Sequence, residues 1–343
     1  MKKQFRIIGL ILSIVLSVPF GKVLAEGYEI TTGGSTAFNQ YLIINEDAQI
    51  PSITFEYSIS NGTHAEATNS TMEILAGVDA DKITIGSADF SASDSKLTTV
   101  QQGDKVTLSS GENYARKTVS VDFSQVRFDE PGIYRYVLRE TSSLQQAVSY
   151  DTQALTPGCK IRYLDVYVTD NNGSLSVSSY VLHELNDTVT LNEEAGSGNV
   201  SVSGQSLEDK SDGFVNVFKS VNLEFGKEVE GNQGSKDKYF KFTLSISGGE
   251  KNTAYYFDLS KAEVTPVKTT ATIYDSMNNP SYIVSDNDGS FSVDFYLKDG
   301  QYVKLKGLVQ GASYALTETK EDYLSADGTS TAVIQGESRT YSD

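Results

Sequence analysis

Apolar and polar residues alternate with a period of two along most of this chain, the spacing that places successive side chains on opposite faces of a β-strand. In residues 52–60, Ile53, Phe55, Tyr57 and Ile59 form one face and the intervening positions are polar. Similar alternation occurs in residues 37–44, 117–123, 133–141, 162–169, 174–183, 239–247, 291–297, 302–308 and 311–319. Beyond residue 25 no helical period lasts longer than a turn or two, so the pattern predicts an all-β fold.

Turn residues and polar stretches separate these strands. Pro131 and Gly132 precede the strand at 133–141, and residues 170–173 (Asp-Asn-Asn-Gly) predict a hairpin with a four-residue loop. Residues 61–113 are polar with few strand signals, and residues 186–213 are rich in Gly, Ser, Asp and Glu, so we expect long loops in both. Many short strands bounded by turns are typical of β-sandwiches.

The pattern occurs twice, which indicates two domains. Residues 132–140 and 311–318 are similar strands, each with a glycine at its start, a tyrosine within it and a glutamate at its end. We predict two tandem immunoglobulin-like β-sandwiches, at residues 26–220 and 221–343. Residues 1–25 are predicted to be a secretory signal peptide, because Lys2, Lys3 and Arg6 precede a short apolar run that ends at Ala25.

Charge and cysteine usage narrow the class of protein further. Without the four basic residues of the signal peptide, 24 basic residues remain against 45 acidic ones, a net charge of −21. Such a surface repels nucleic acid and anionic membranes, so we expect no nucleic-acid partner and no membrane contact beyond the signal peptide. Cys159 is the single cysteine and cannot form an internal disulfide, so an exported protein of this kind needs another source of stability.

Two polar side chains lie on strand faces that are otherwise apolar. Asn216 falls between two inward phenylalanines, and Lys227 follows Leu223 and Phe225 on the apolar face of its strand. A buried lysine or carboxamide is costly unless it is paired or hydrogen-bonded. The sequence therefore predicts a partner for each.

Glu140 and Glu318 can provide these partners, because both fall on the tyrosine and leucine side of their strands. Burial raises the pKa of a carboxyl group and lowers that of a lysine, so a hidden pair can be neutral together. A neutral amine is a nucleophile, and a protonated glutamate can hydrogen-bond a carboxamide and pass its proton to departing ammonia. This chemistry forms a Lys–Asn isopeptide bond, a covalent link that needs no oxidant.

Several motifs resemble a known family. They are the segments at residues 225–231 (Phe-Gly-Lys-Glu-Val-Glu-Gly), 237–242, 297–300 and 314–318 in the second half, and 129–136, 149–151 and 164–168 in the first. Together, and in this order, they resemble the pilin isopeptide-linkage domains of Gram-positive pili, the streptococcal FctA-type major pilin backbone. The resemblance implies CnaB-type, immunoglobulin-like sandwiches without a cofactor.

The resemblance implies a role for each inward polar residue. In the second domain, Lys227 matches the cross-linking lysine and Glu318 the catalytic glutamate, but the last asparagine of the sequence is Asn287, before the expected strand. We therefore expect the second domain to lack its last strand. Truncation of the chain and a degenerate family member both fit this expectation.

In the first domain, the resemblance assigns Glu140 as the glutamate and Asn216 as the asparagine, while Gln40 occupies the lysine position. No Lys or Arg occurs between residues 26 and 81, so no shift of register restores the lysine. We expect a polar cluster of these three residues held by hydrogen bonds, without a cross-link. Lys210, six residues before Asn216, is our candidate for the lysine that a sortase joins to the next subunit.

Simpler interpretations of these residues stay open. Lys227 and Glu318 can form a partly buried ion pair at a strand edge, and Lys210 can be a solvated loop residue. A thioester between Cys159 and Gln40 lacks the surrounding motifs of known examples. His64 and His183 stand alone without metal-ligand spacing, and the acidic clusters at 79–81 and 286–288 do not complete a calcium loop, so we assign no metal site.

We predict an exported structural pilin of the cell-wall surface, joined to other pilin subunits by a sortase. Its only chemistry would be autocatalytic and intramolecular, so it is not an enzyme that consumes a substrate. The alternative is a surface adhesin or pilus-tip module that recognises a host protein or glycan. A secreted enzyme with accessory sandwiches is a further alternative, for which no catalytic constellation is visible.

Overall fold

A computed structural model describes the chain at residues 30–67, 72–141, 147–151, 161–185, 190–193, 200–203, 207–231, 234–258, 281–319, 329–334 and 337–342. The predicted signal peptide and Cys159 lie outside these ranges. Among the described residues, no helix is long and apolar enough to cross a bilayer.

The first half of the structure consists of β-strands and one short 3-10 helix at Ala80–Lys82. The strands are β1 (Thr31–Thr32), β2 (Ser35–Asn45), β3 (Ile53–Phe55), β4 (Tyr57–Asn61), β5 (Leu75–Ala76), β6 (Thr84–Ile85), β7 (Ala88–Phe90), β8 (Glu112–Asp122), β9 (Arg127–Phe128), β10 (Gly132–Glu140), β11 (Val148–Ser149), β12 (Ile161–Asn171), β13 (Ser174–Leu185), β14 (Thr190–Glu193), β15 (Val200–Ser203), β16 (Leu207–Lys210) and β17 (Gly213–Phe218).

The second half is built in the same way. Its strands are β18 (Ser220–Gly226), β19 (Phe240–Ser247), β20 (Ala254–Asp258), β21 (Tyr282–Val284), β22 (Phe291–Leu297), β23 (Tyr302–Val309), β24 (Ser313–Glu318), β25 (Thr329–Ile334) and β26 (Glu337–Ser342).

Two main sheets enclose the core of the first half. One sheet has the order β11-β17-β2-β8-β6 and the other β16-β13-β12-β10-β4, with β5 beside β10. Alternate residues of both sheets point into a single apolar cluster, for example Leu42 and Val119 from one sheet and Tyr136 and Val166 from the other. This is the packing of a β-sandwich, in which each sheet buries one face.

A second sandwich encloses a separate core. Its sheets have the orders β21-β20-β23-β18-β25-β26 and β22-β19-β24. Leu223 and Leu305 pack from the first sheet, and Leu244 and Phe295 from the second. The predicted all-β class with two tandem immunoglobulin-like sandwiches is confirmed, while the boundary at residues 220 and 221 stays a prediction.

The two sandwiches contact each other at the turn after β2. The carboxylate of Asp47 accepts a hydrogen bond from Asn222 Nδ2 at 3.1 Å and lies 3.3 Å from the ammonium of Lys306. Ala312 packs against both apolar cores. The junction therefore combines polar contacts from the second domain with a shared apolar contact.

The structure corrects the sequence-based prediction in two places. Residues 186–213, predicted to be a loop, include β14, β15 and β16, and β16 pairs with β13. The hairpin after β12 turns through Asn172 and Gly173 alone, both at positive φ (59° and 91°), because a two-residue turn of this kind matches the right-handed twist of its strands. Among the described residues between β4 and β8, the strands β5, β6 and β7 are short, as the polar composition of this stretch suggested.

The first long strand and the last strand of the first sandwich, β2 and β17, are neighbours. β17 pairs with β2 in parallel, with Phe214 opposite Gln40 and Asn216 opposite Leu42. In the second sandwich the corresponding neighbour of the first strand is β25, which pairs with β18 in the antiparallel direction. This difference lies next to the polar residues that the sequence singles out.

Candidate functional site

Gln40, Glu140 and Asn216 lie on three strands that face the core of the first sandwich; we call them the first site. Gln40 is on β2, Glu140 is the last residue of β10, and Asn216 is on β17. Gln40 and Asn216 are fully buried, and Glu140 is 4% exposed. Alternation along each strand is what directs these polar side chains inward among apolar neighbours.

Asn216 is hydrogen-bonded at both ends of its carboxamide. Its Nδ2 donates to Glu140 Oε1 at 3.0 Å, and its Oδ1 accepts from the backbone N–H of Asp151 at 2.8 Å. Asp151 is held in turn, because its carboxylate accepts from Arg162 at 2.5 Å and from the backbone N–H of Val215 at 2.9 Å. A donor at the amide oxygen withdraws electrons from the carbonyl carbon, the atom that a nucleophile would attack.

Gln40 is satisfied by groups outside the predicted triad. Its Oε1 accepts from the Tyr57 hydroxyl at 2.6 Å, and its Nε2 donates to the backbone carbonyl of Tyr41 at 3.0 Å. Burial raises the pKa of Tyr57 far above its ordinary value, and the nearby charge of Glu140 adds to this effect. The neutral hydroxyl therefore stays a hydrogen-bond donor to the glutamine.

Lys227 and Glu318 meet in the second sandwich; we call this pair the second site. Lys227 directly follows β18, and Glu318 is the last residue of β24. Lys227 Nζ lies 2.8 Å from Glu318 Oε1 and 4.2 Å from the centre of the Phe240 ring. The lysine backbone is fixed by Gln301 and Gly300, which accept from its N–H and donate to its carbonyl.

The sequence-based expectation that this pair is hidden from solvent is wrong. The side chain of Lys227 is 17% exposed and that of Glu318 is 38% exposed. The pair therefore forms a partly solvated ion pair at the end of two strands, and the removal of water that would favour two neutral groups is incomplete here.

Lys210 is the last residue of β16 and its side chain is exposed. Its Cα pairs with that of His183 on β13, so it belongs to a strand at the edge of a sheet rather than to the predicted loop. Its backbone carbonyl accepts a hydrogen bond from the ammonium group of Lys105. An exposed amine on a fixed backbone is accessible to a partner.

The two histidines do not stand alone, contrary to expectation. His64 Nε2 lies 3.0 Å from Glu73 Oε1, this hydrogen bond raises the pKa of His64, and Glu66 completes a group whose ligand atoms lie within 4.8 Å of one another. All three residues are exposed, and we assign no metal to them. His183 Nε2 lies 3.3 Å from the carboxylate of Asp165.

Sequence reasoning missed the groups that surround the first site. Tyr57 was placed on the correct face of its strand, but its partner Gln40 follows only from the packing of one sheet on the other. Asp151 and Arg162 gave no local signal, because their contacts join segments far apart in the chain. The buried Arg135 and Asp165 form a bidentate pair at 2.7 and 2.8 Å across β10 and β12, which strand pairing alone determines.

Comparisons with known proteins found matches over most of the chain. Residues 49–219 match a family model described as FctA, Spy0128-like isopeptide containing domain, and residues 221–342 match one described as Domain of unknown function (DUF7601). A pilin of Streptococcus pyogenes serotype M1 is 24% identical over 319 residues, which cover 89% of this chain and 73% of the relative.

Two solved structures are also similar. The major pilin protein T3.2 of Streptococcus pyogenes aligns with a TM-score of 0.51 at 19% identity, covering 90% of this chain and 92% of that one, which shows a shared fold. Another major pilin of Streptococcus pyogenes aligns with a TM-score of 0.47 at 20% identity, covering 84% of this chain and 83% of that one.

The tandem sandwiches and these matches together indicate a class, the structural subunits of bacterial surface fibres. The chain, through residues 49–219, belongs to the family described as FctA, Spy0128-like isopeptide containing domain. It is a homologue of the major pilin backbone, a structural protein of the cell-surface pilus that assembles with other pilin subunits.

Proposed function

We propose that this chain is a pilus backbone-type subunit that a sortase polymerises through Lys210 and whose second domain is built for an intramolecular isopeptide bond. The observation that carries the proposal is the 2.8 Å contact between Lys227 Nζ and Glu318 Oε1 at the ends of β18 and β24. The resemblance gives these two residues the nucleophile and proton-shuttle roles, and their contact supports it.

The isopeptide step is autocatalytic and occurs once per molecule. Lys227 Nζ attacks an asparagine Cγ, the bond from Cγ to Nδ2 breaks, and Glu318 carries the amine proton to the departing ammonia. No asparagine follows Asn287 in this sequence, so it has no asparagine at the position that the resemblance assigns to the electrophile. The first site contains Glu140 and Asn216 without a lysine, and we propose that it stabilises its domain through hydrogen bonds alone.

Intact mass spectrometry tests the isopeptide proposal, because each Lys–Asn bond releases one ammonia, about 17 Da. The chain as printed should have its calculated mass. A version extended by downstream residues that include an asparagine strand should lose one ammonia, and Lys227→Ala or Glu318→Ala should each prevent the loss. An extended chain of unchanged mass would contradict the assignment.

Polymerisation is tested separately with the source bacterium's sortase. A backbone subunit should form ladders that resist sodium dodecyl sulfate, and Lys210→Ala should abolish them. An adhesin or pilus-tip module would instead bind a soluble host protein or glycan and form no ladder of its own. Export through residues 1–25 is tested by N-terminal sequencing of the secreted protein, which should begin at Glu26.

A further inference from the structure

A segment before β8 crosses the outer face of the sheet that contains β2 and β17; we call residues 97–106 the strap. Leu97 and Tyr114 exchange backbone hydrogen bonds of 2.7 and 3.0 Å, and the Tyr114 hydroxyl accepts from the backbone N–H of Gln101 at 3.0 Å. Val106 is buried against Tyr41 and Tyr114. The strap is therefore fixed at both ends by the sheet beneath it.

The carboxylate of Asp104 fixes the middle of the strap. It accepts from the Tyr114 hydroxyl at 2.6 Å and from the guanidinium of Arg116. The Asp104 side chain is only 2% exposed. Hydrogen bonds to a charged acceptor that water does not reach are among the stronger polar contacts in a protein, so the next residue, Lys105, has a defined position.

Lys105 binds the segment that carries Lys210 at two points. Its ammonium group donates to the backbone carbonyl of Lys210, and its backbone N–H donates to Asp212 Oδ2 at 3.2 Å. The same oxygen of Asp212 accepts from the Tyr41 hydroxyl at 2.5 Å. A residue more than 100 positions earlier in the chain thus contacts the backbone of Lys210 and the side chain of Asp212, on either side of Ser211.

Other bonds hold the same segment from the sheets. Ser211 N–H donates to Leu182 O at 2.9 Å, Asp212 O accepts from Asn39 N–H at 2.7 Å, and Gly213 O accepts from Arg162 Nε at 3.0 Å. The Lys210 side chain is nevertheless exposed. The structure therefore fixes the main chain of Lys210 and leaves its amine in solvent.

We propose that Lys105 is a positioning residue for Lys210 in the joining of subunits; this inference rests on the proposed role of Lys210 as acceptor. The Lys210 amine attacks the carbonyl carbon of a thioester on the sortase cysteine. The N–C bond forms, the C–S bond breaks, and the amine proton leaves with the cysteine thiol. Holding an attacking group in place removes much of the entropic cost of such a step, and a displacement of about 1 Å can cost about a hundredfold in rate.

The test measures ligation to the full chain of a fluorescent peptide that carries a Leu-Pro-x-Thr-Gly-type sorting sequence, with the source bacterium's sortase. Lys105→Met keeps the length of the side chain but removes the donor, and it should lower the initial rate about tenfold or more. Lys105→Arg restores a donor that cannot serve as the acyl acceptor, and it should ligate within about twofold of the unmodified chain. Lys82→Ala, a change of an exposed lysine paired with Asp79, is the matched control and should have no effect.

The outcomes separate the two proposals. Full ligation by Lys105→Met would overturn the positioning role, as would mapping of the peptide to Lys105 itself by tandem mass spectrometry. Full ligation by Lys210→Arg would overturn the acceptor assignment and the positioning role with it. Hydrogen exchange at residues 207–213 provides a readout without sortase, and it should be faster in Lys105→Met and normal in Lys105→Arg.

Discussion

The two sandwiches place glutamates next to inward polar partners under different degrees of burial. In the first site, Glu140 is 4% exposed and contacts the fully buried Asn216. Asn216 lies on β17, the strand that runs parallel to β2. In the second site, the side chain of Glu318 is 38% exposed and contacts the lysine, and the strand beside β18 is antiparallel. The first site, as defined by its three residues, has the carboxamide of Asn216 and the carboxyl group of Glu140 but no amine. The second site, as defined by its pair, has the amine of Lys227 and the carboxyl group of Glu318 but no asparagine.

This comparison shows that the burial of a site and the presence of all its reactive groups are different properties. A parallel closing strand brings Asn216 inside the first sandwich, where water is excluded and each polar atom needs a protein partner. The second site keeps partial solvent access, so its charges can be stabilised by water as well as by each other. Being buried and having all three reactive groups are therefore separate properties, and substitutions can address them separately.

The largest expected effect is from Gln40→Lys, which places an amine in the buried first site. We expect its ε-amine to attack Cγ of Asn216 on the neighbouring strand, whose oxygen is already bonded to the N–H of Asp151, and Glu140 to carry the proton to departing ammonia. We expect a loss of about 17 Da and stabilisation of about 5 kcal/mol, by analogy with a disulfide that closes a loop of more than 100 residues. Intact mass and urea denaturation measure the two effects.

The double variant Gln40→Lys with Glu140→Ala is the control and should keep its full mass, because the proton shuttle is missing. An unchanged mass of the single variant would show that the first site is structural only.

The next largest effect is expected from alkaline pH, which should lower the stability of the two domains by different amounts. Burial raises the pKa of Tyr57, Tyr136 and Tyr163 in the first domain well above the ordinary value, and that of Tyr255 in the second domain to about 12. An unfolded tyrosine ionises near pH 10, whereas these folded tyrosines stay protonated. The stabilising contribution of each raised pKa is therefore complete below pH 10 and is lost as the pH rises towards the folded pKa. At pH 11 each such tyrosine lowers the free energy of unfolding by up to about 1.4 kcal/mol.

The first domain should therefore lose more stability between pH 9 and pH 11. Urea denaturation followed by the methyl resonances of Val119 in the first core and Leu244 in the second measures each domain within the full chain. Equal losses in the two domains would contradict the prediction.

Removal of each glutamate should have unequal effects. Glu140→Ala leaves the buried carboxamide of Asn216 without its acceptor and should destabilise the first domain by about 2 kcal/mol. Glu318→Ala removes a partly solvated ion pair and should cost the second domain less than about 1 kcal/mol. The same methyl probes report both values, and an equal or larger effect of Glu318→Ala would show that solvent does not screen the second site.

A small expected effect within the first site is from Tyr57→Phe, which removes the hydroxyl that donates to Gln40 at 2.6 Å. A buried hydrogen bond of this kind contributes about 1 kcal/mol. Repeating the substitution in a Gln40→Leu background completes a double-mutant cycle, in which the effect should shrink because the acceptor is already absent. If Tyr57→Phe cost as much in the Gln40→Leu background, the hydroxyl would contribute to stability through a group other than Gln40.

Alternation along the chain predicted most of the long strands, because a strand with one buried face must repeat every two residues. It also placed Glu140, Asn216 and Gln40 on inward faces, where the structure has them. It failed for residues 186–213, because β16 forms by pairing with β13 and its own residues carry little apolar alternation. It also overestimated the burial of Glu318, since period alone does not say how deep the end of a strand lies.

The sequence by itself determined the all-β class and the repeated strand patterns, because composition and a period of two are local properties of the chain. Only the tertiary structure decided three hydrogen bonds: from Tyr57 to Gln40, from the backbone of Asp151 to Asn216, and from Lys105 to the backbone carbonyl of Lys210. These contacts join residues far apart in the chain, and their geometry depends on how the sheets and the strap pack rather than on any local spacing.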